Sequence, residues 1–348
     1  MERALASIQR IDALDPIEGA DRIEVATILG WKVIVKKGEF QVGDKCIYCE
    51  IDSVLPADNP EFEFMQARSK GRVKTMRMRG VLSQGIAFPM KVLHDQLVGE
   101  LQWIMPADVN QIDQDVTDLL GITKYEPPAD FKQGASKGTF PGFIPKTDEL
   151  RLQSKPELLE ELAGERYVIT IKVDGTSATF FWHDGEFGVC SRNMEKKLDG
   201  NSVYSRIAKE YKLQEILEDI ERETGIELAL QGEIAGPGIQ KNPLGLKELQ
   251  LFLFTGFNIR EGKYLDHLEF SELCTRWELP MVYVAEYGAE FKHTLESLLE
   301  LAKGKYLGTD NNREGIVIRP FREMVSKRLH GRLSFKVINN DFLEKGEE

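Results

Sequence analysis

The stretch Tyr167-Val168-Ile169-Thr170-Ile171-Lys172-Val173-Asp174-Gly175-Thr176 decides how the second half of the chain is read. From Tyr167 to Val173 it is apolar and rich in β-branched residues except at Thr170 and Lys172, the pattern of a buried strand. A long amine in such a run either reaches solvent along its own methylenes or performs chemistry. Asp174-Gly175 then turns the chain. One lysine is left at the mouth of a strand, with a carboxylate two residues on. Alone, this short pattern is also satisfied by an edge-strand lysine before a hairpin.

The rest of the chain adds further pieces in order. Ser191-Arg192-Asn193 follows twenty residues after Lys172. Gly232-Glu233-Ile234 ends one strand with a carboxylate, and Glu314-Gly315-Ile316-Val317 opens another with one. Phe252 to Ile259 is a strand carrying aromatics, and Ser334-Phe335-Lys336-Val337 supplies a last lysine. Each piece is short, but together they resemble the ordered signature of the covalent nucleotidyltransferases, the superfamily of ATP-dependent ligases and mRNA capping enzymes. Lys172 to Thr176 is similar to motif I, Arg192 to the arginine of motif Ia and Glu233 to motif III. Phe252 to Ile259 is similar to motif IIIa, Glu314 to motif IV and Lys336 to motif V.

The resemblance implies a nucleophilic Lys172 that takes AMP from ATP and forms a phosphoramidate. A lysine amine is inert while protonated, with an ordinary pKa of about 10.4. Burial, a metal cation or a second lysine is expected to lower it. The resemblance further implies that Glu233 and Glu314, with Asp174, hold Mg²⁺ or Mn²⁺ directly or through its water shell. Lys336 would neutralise the α-phosphate oxygens, Gly175 would border the nucleotide, and Arg192 would contact a phosphate or ribose. Phe254 or Phe257 would stack on the base, and a core role suits either equally well. In Pro145 to Gln153, Arg151 and Lys146 are candidates for the pyrophosphate or the 5′-phosphate, with a polar helix start as the rival reading.

Two positions depart from the family pattern. Ser334 stands where RNA ligases often carry the first of two motif V lysines, so Lys327, Arg328 or Arg332 is expected to compensate. Ile171 precedes the nucleophile where an acidic residue is common, so selection of ATP over GTP would rest on backbone groups.

Residues 1–125 read as short strands punctuated by Gly30, Gly38, Gly43 and Gly80, the pattern of a small OB-type β-barrel. Residues 126–145 crowd prolines and glycines and read as a linker. Residues 146–348 mix strands with helices expected from Ser154 to Leu162, from about Val203 to Glu223, and after Thr294. Strands and helices do not alternate strictly. The fold class is therefore α+β, an OB-type barrel followed by an antiparallel-sheet-rich, ATP-grasp-like nucleotidyltransferase domain. DNA ligases and capping enzymes place a barrel after motif V. Here twelve residues follow Lys336 and the candidate barrel precedes the lysine. That order resembles ATP-dependent RNA ligases with an N-terminal OB domain, which join 3′-hydroxyl and 5′-phosphate RNA ends. A DNA nick ligase, a guanylyltransferase and a non-catalytic nucleic-acid-binding module are the alternatives.

The net charge of -12 opposes nucleic-acid binding in sum, but clusters matter more than totals. Arg68, Lys70, Arg72, Lys74, Arg77 and Arg79 form an acid-free run. Alternation along a strand would set several of them on one side to track a phosphate backbone. No stretch approaches the roughly 20 apolar residues of a membrane helix, and no leader is visible. An intracellular protein, cytoplasmic or nuclear, and a monomer without membrane partners are expected. Cys46 and Cys49 lie three apart on one strand and so point to opposite faces, a poor chelate.

Overall fold

The computed structural model describes residues 4–93, 111–125, 135–198, 200 and 202–346. The chain divides into two compact units. One comprises Met1–Pro128, Leu152–Pro156 and Leu343–Glu348, the other Ala129–Arg151 and Glu157–Phe342.

In the first unit, Ala6–Arg10, Lys45–Cys49 and Ile86–Pro89 form one antiparallel sheet, and Ala13–Pro16, Ile23–Ile28 and Trp31–Lys36 form another. Lys45–Cys49 serves two cores. Cys46 and Tyr48 pack with Trp31 and Val33, while Ile47 and Cys49 pack with Ile8, Phe62 and Leu120. Period-two alternation demands this split, and it separates the two thiols as the spacing predicts. Both are buried and free. Burial pushes the Cys46 thiol up to about 12, an inert state.

The basic run is not one strand. Arg68 falls in the helix Glu63–Ser69, and its side chain lies outside the described residues. Lys70 ends that helix in the left-handed region. Arg72 and Lys74 share the outward side of an extended segment whose Val73 is buried. Arg72 is committed to Asp52 at 2.7 Å and stacks on Tyr125 at 3.8 Å. Arg77 belongs to a short hairpin strand, Met76–Met78, and pairs with Glu344, and Arg79 lies just beyond in the hairpin turn. The helix cap and the hairpin break the alternation, so among the described residues the charges do not share one strand face.

The second unit is built on two sheets. One has seven strands, in the order Ser136–Thr139, Met194–Lys196, Glu186–Cys190, Thr176–His183, Leu228–Ala235, Gln250–Asn258 and Lys263–Tyr264. The other has five, in the order Leu150–Arg151, Phe335–Ile338, Gly315–Pro320, Tyr167–Lys172 and Val284–Gly288. Its pairs are antiparallel except for Leu150–Arg151 with Phe335–Ile338. Ser136–Thr139 lies inside the stretch expected to be a linker, and residues 126–134 of that stretch lie outside the described residues.

The long helix expected near 203–223 is two helices, Val203–Glu210 and Leu213–Thr224, parted by a left-handed Lys212. The reason is packing. In one continuous helix Leu213 would sit about 240° round from Ile207, away from the sheet. The break lets Tyr204, Ile207, Leu213, Leu217 and Ile220 all enter one core with Phe180, Leu230 and Leu251. The helix expected from Ser154 is also shorter: Leu152–Ser154 is a 3₁₀ turn in the first unit, and only Leu158–Leu162 is α-helical. A further helix, His267–Arg276, went unread, although Asp266 and Glu269 spell its capping box. Among the described residues no helix is long and apolar enough to cross a membrane.

Candidate active site

Lys172 ends an inner strand of the five-stranded sheet, and the chain crosses to the seven-stranded sheet through Asp174 and Gly175. The crossing is tight. A Cβ on Gly175 would lie 2.4 Å from the Ile234 carbonyl and 2.8 Å from Glu233 Cγ. Gly175 also accepts a hydrogen bond from Gln240 at 3.1 Å. Glycine is required here because strand backbone fills the space a side chain needs. The same closeness carries Glu233 from the second sheet toward Lys172.

Register assembles the rest. Lys172 pairs with Gly315, which places Glu314 beside it, and Lys172 Nζ donates to Glu314 Oε2 at 2.8 Å. One row further along, Thr170 pairs with Val317, Val317 with Lys336, and Lys336 with Arg151. Thr170, Lys336 and Arg151 therefore cross the sheet in one row next to Lys172. Ser177, Glu233 and Phe252 form the corresponding row of the other sheet. The two sheets are tied by Arg319, which donates to the Phe254 carbonyl at 3.0 Å, and Arg332, from the small pair of strands Val325–Ser326 and Gly331–Arg332, donates to Thr255 Oγ1 at 3.0 Å.

The electrostatics differ from expectation at Lys172. Burial disfavours the charge on Lys172, but Glu314, then Glu233 and Glu149, outweigh it and hold its pKa above the ordinary lysine value. The lysine with the lowered pKa is Lys336. Burial, Lys172 and Arg151 bring it to about 8, against a partial offset from Glu149 and Glu314. Burial and Glu314 raise Asp174 to about 7. Burial raises Glu233 to about 8, with Glu314 and Asp174 adding to the rise and Lys172 opposing it. Acids forced this far up mark a pocket with surplus negative charge.

That surplus suits a divalent cation, which hard carboxylate oxygens bind. The acids do not, however, form a closed ligand shell. Among the described residues, the trio of metal-capable side chains whose ligand atoms all lie within 4.8 Å of one another is His183, Asp184 and Glu227, elsewhere on the seven-stranded sheet. There Glu227 is already held by Arg260 at 2.9 Å, His183 at 2.7 Å and the Asp184 amide at 3.1 Å.

Behind Thr170 lies a small pocket of about 20 Å³, room for a water molecule, lined by Val168, Thr170, Phe254, Thr255, Arg319 and Arg332, among others. An RNA ligase family model matches residues 165–338, spanning all these pieces except Glu149 and Arg151. The RNA ligase of Naegleria gruberi, solved with PPi, is 35% identical to this chain, covers 99% of both chains and superposes with a TM-score of 0.87. The chain belongs to the RNA ligase family.

An OB-fold domain model matches residues 5–90, so this RNA ligase carries an OB-fold domain followed by a sheet-rich α/β ligase domain. Two other Naegleria gruberi RNA ligase structures agree, each covering 99% of both chains. A mutant in apo form is 34% identical with a TM-score of 0.88, and a mutant with AMP and Mn is 35% identical with a TM-score of 0.88. No curated protein matches by sequence.

Other sequence candidates of the RNA ligase are placed less centrally. Arg192 is half-exposed in a turn and held by both Asp148 oxygens, at 2.7 and 2.8 Å. Lys146 donates to Asn193 at 3.1 Å in the same turn. Of the two phenylalanines, Phe257 is buried with Phe181, Ala229 and Ile144, which makes it core. Phe254 lines the small pocket, at a register shift opposite Gln231 and Gly232.

The residue beside Ser334 is Arg319, not any of the three basic residues named as substitutes. Arg319 Nε donates to Ser334 Oγ at 3.1 Å, and its NH2 pairs with Glu149 at 2.6 Å. Arg328 is engaged by Glu160 at 2.6 Å, Arg332 by Glu323, and Lys327 is exposed on the surface. Burial opposes the charge of Glu149, but Arg319 and Lys336 outweigh it and hold its pKa below the usual carboxylate range. Sequence reasoning missed both members of this pair. For Arg319 the signal was present: a charge in an apolar strand, as at Lys172.

Gly175→Ala is expected to lower the rate of nucleotide transfer by on the order of a hundredfold, because the added methyl must push Ile234 and Glu233 off their positions. Single-turnover transfer from labelled ATP measures it, and an alanine variant at the parental rate would show that the crossing has slack.

Proposed function

We propose that this RNA ligase is ATP-dependent and seals 3′-hydroxyl to 5′-phosphate RNA ends through AMP carried on Lys172. The observation that carries this reading is the convergence of Lys172, Lys336, Glu233, Glu314 and Asp174, from distant segments of both sheets, into one electrostatically coupled group. The Naegleria gruberi structures with ATP and Mn support the nucleotide and the metal.

Three steps follow. Lys172 Nζ attacks the α-phosphorus of ATP, an N–P bond forms, and pyrophosphate leaves. A 5′-phosphate oxygen then attacks the same phosphorus, the N–P bond breaks, and the RNA end carries AMP through a pyrophosphate link. Finally the 3′-hydroxyl attacks the 5′-phosphorus, closing the phosphodiester and releasing AMP. Both leaving groups are good ones, so positioning and charge do most of the work.

Each side chain has a place in this course. Phe254, half-buried on the seven-stranded sheet, is the stacking partner of the nucleobase. Lys336 and Arg151, neighbours across one strand pair, face the phosphates. Arg192, once released from Asp148, serves a phosphate or ribose. Lys172 must lose a proton before it attacks, and Glu314 at 2.8 Å is the group placed to accept it. Glu233, Glu314 and Asp174 fit Mg²⁺ or Mn²⁺ partly through its water shell. Such an ion supplies positive charge that relieves the acid cluster and lowers the lysine pKa.

The same reading takes the OB-fold domain, with Lys70, Lys74, Arg77 and Arg79 outermost, as a contributor to RNA binding. It also takes the enzyme as an intracellular monomer, cytoplasmic or nuclear, in keeping with four reduced, buried cysteines.

A joining assay tests the function. RNA strands with 5′-phosphate and 3′-hydroxyl ends are expected to be sealed with ATP and a divalent metal, and not with GTP. Sealing that requires DNA at the 3′-hydroxyl end, or nucleotide transfer from GTP, would replace this reading with a DNA ligase or a guanylyltransferase.

A further inference from the structure

We infer that the hydroxyl of Tyr306 is a positioning latch, which holds the main chain on both sides of the nucleophile and fixes it against Glu314. The inference rests on the reading of Lys172 as nucleophile.

The geometry is specific. Tyr306 OH donates to the Lys172 carbonyl at 2.9 Å. It accepts from the Asp174 amide at 3.0 Å and from the Glu314 amide at 3.1 Å. A phenol has one proton to give and two lone pairs, so this hydroxyl spends its whole capacity on the backbone of the two catalytic segments. One side-chain atom thereby joins Lys172, Asp174 and Glu314. The ring itself is buried with Val173, Ala235 and Phe252.

Tyr306 is in turn aimed by its loop. Its amide donates to the Asn311 carbonyl at 3.0 Å, and Thr309 Oγ1 donates to the Tyr306 carbonyl at 3.1 Å. Asn311 Nδ2 ties the loop to the Pro243 carbonyl at 2.8 Å. On the far side of Glu314, Asn339 donates from its amide to the Glu314 carbonyl at 2.9 Å and from its side chain to the Arg313 carbonyl at 3.0 Å. Glu314 is thus held from both directions, while Lys172, at the last paired position of its strand, and Asp174, just beyond it, are joined to that support through the phenol. In-line attack by an amine tolerates little misplacement, so the latch acts on the rate of transfer and leaves the nucleotide pocket unchanged.

Single-turnover transfer of AMP from α-labelled ATP separates the possibilities, run on the parental chain, Lys172→Ala, Tyr306→Phe and Asn311→Ala. Tyr306→Phe keeps the ring and removes the three hydrogen bonds. It is expected to slow transfer roughly 10- to 100-fold at full amplitude, with the ATP concentration for half-maximal rate unchanged. A residue that only supports folding gives the opposite signature, a reduced amplitude at the parental rate, and that result overturns the inference, as does a parental rate and amplitude. Should Tyr306→Phe not fold, the exposed Asn311→Ala decides. A rate lowered by roughly threefold or more at full amplitude supports the latch, and a parental rate overturns it. Label surviving in Lys172→Ala would overturn both the nucleophile and the latch. Label lost there with Tyr306→Phe unaffected overturns the latch alone.

Discussion

Lys172→Ala is expected to carry no nucleotide after incubation with ATP and a divalent metal, and Lys172→Arg is expected to behave the same way. The pair of variants separates two roles. Were Lys172 only a cation for the phosphates, arginine would preserve much of the rate, since it keeps the charge. As a nucleophile the residue must lose a proton, which a guanidinium does not do near neutral pH. Both variants are expected to retain sealing of RNA already adenylated at its 5′ end, because that step breaks no bond to the lysine. Lys336 makes the test a sharp one. With a pKa of about 8 it is the more readily deprotonated amine of the two, and pKa alone would choose it. Register argues otherwise, since Lys172 stands at the crossing between the sheets, beside Glu314 and Glu233. Peptide mapping of the labelled protein is expected to find AMP on Lys172. Label on Lys336, or on any peptide of the Lys172→Ala variant, would sink the assignment.

The chemistry was legible in the sequence to the extent that strands announce themselves. Lys172, Glu233, Glu314 and Lys336 each sit at or within a β-rich apolar run, where a charge is conspicuous. Antiparallel register then brings strand residues together with little freedom. What stayed hidden depends on three-dimensional proximity. Nothing in the sequence around Tyr306 distinguishes it from any loop tyrosine, because its role comes from bonds to Lys172, Asp174 and Glu314, all in other segments. The sign of the Lys172 shift was misjudged for the same reason: burial was foreseen, the number of carboxylates sharing that burial was not. The basic run from Arg68 to Arg79 was read as a strand because its charges alternate in sequence. A helix end and a hairpin intervene, and these obey the local turn residues Gly71 and Gly80, both in the left-handed region.

The surplus of acids has a thermodynamic consequence. In metal-free buffer near pH 8, Glu233→Gln is expected to raise the melting temperature while lowering the rate of nucleotide transfer by on the order of a hundredfold. An acid whose pKa rises from 4.5 to about 8 on folding binds more protons folded than unfolded between those values. Stability therefore falls as pH climbs through that window, and the full cost is present above it. Glutamine fills the same space without the charge, so the advantage of the variant should be small near pH 4, grow to about pH 8 and then level off. Loss of the attraction between Glu233 and Lys172 works against the gain, but Glu314 remains at 2.8 Å from the lysine. Each ~1 kcal/mol recovered should appear as about 2–4 °C for a domain of this size. Melting curves of the two proteins across pH 4–9 provide the measurement. A variant less stable than its parent at pH 8, or an offset that does not change with pH, would mean that Glu233 is held in the fold as a structural partner of Lys172. A rising offset with lost activity would mean that the fold tolerates an unfavourable charge at this position because catalysis requires it.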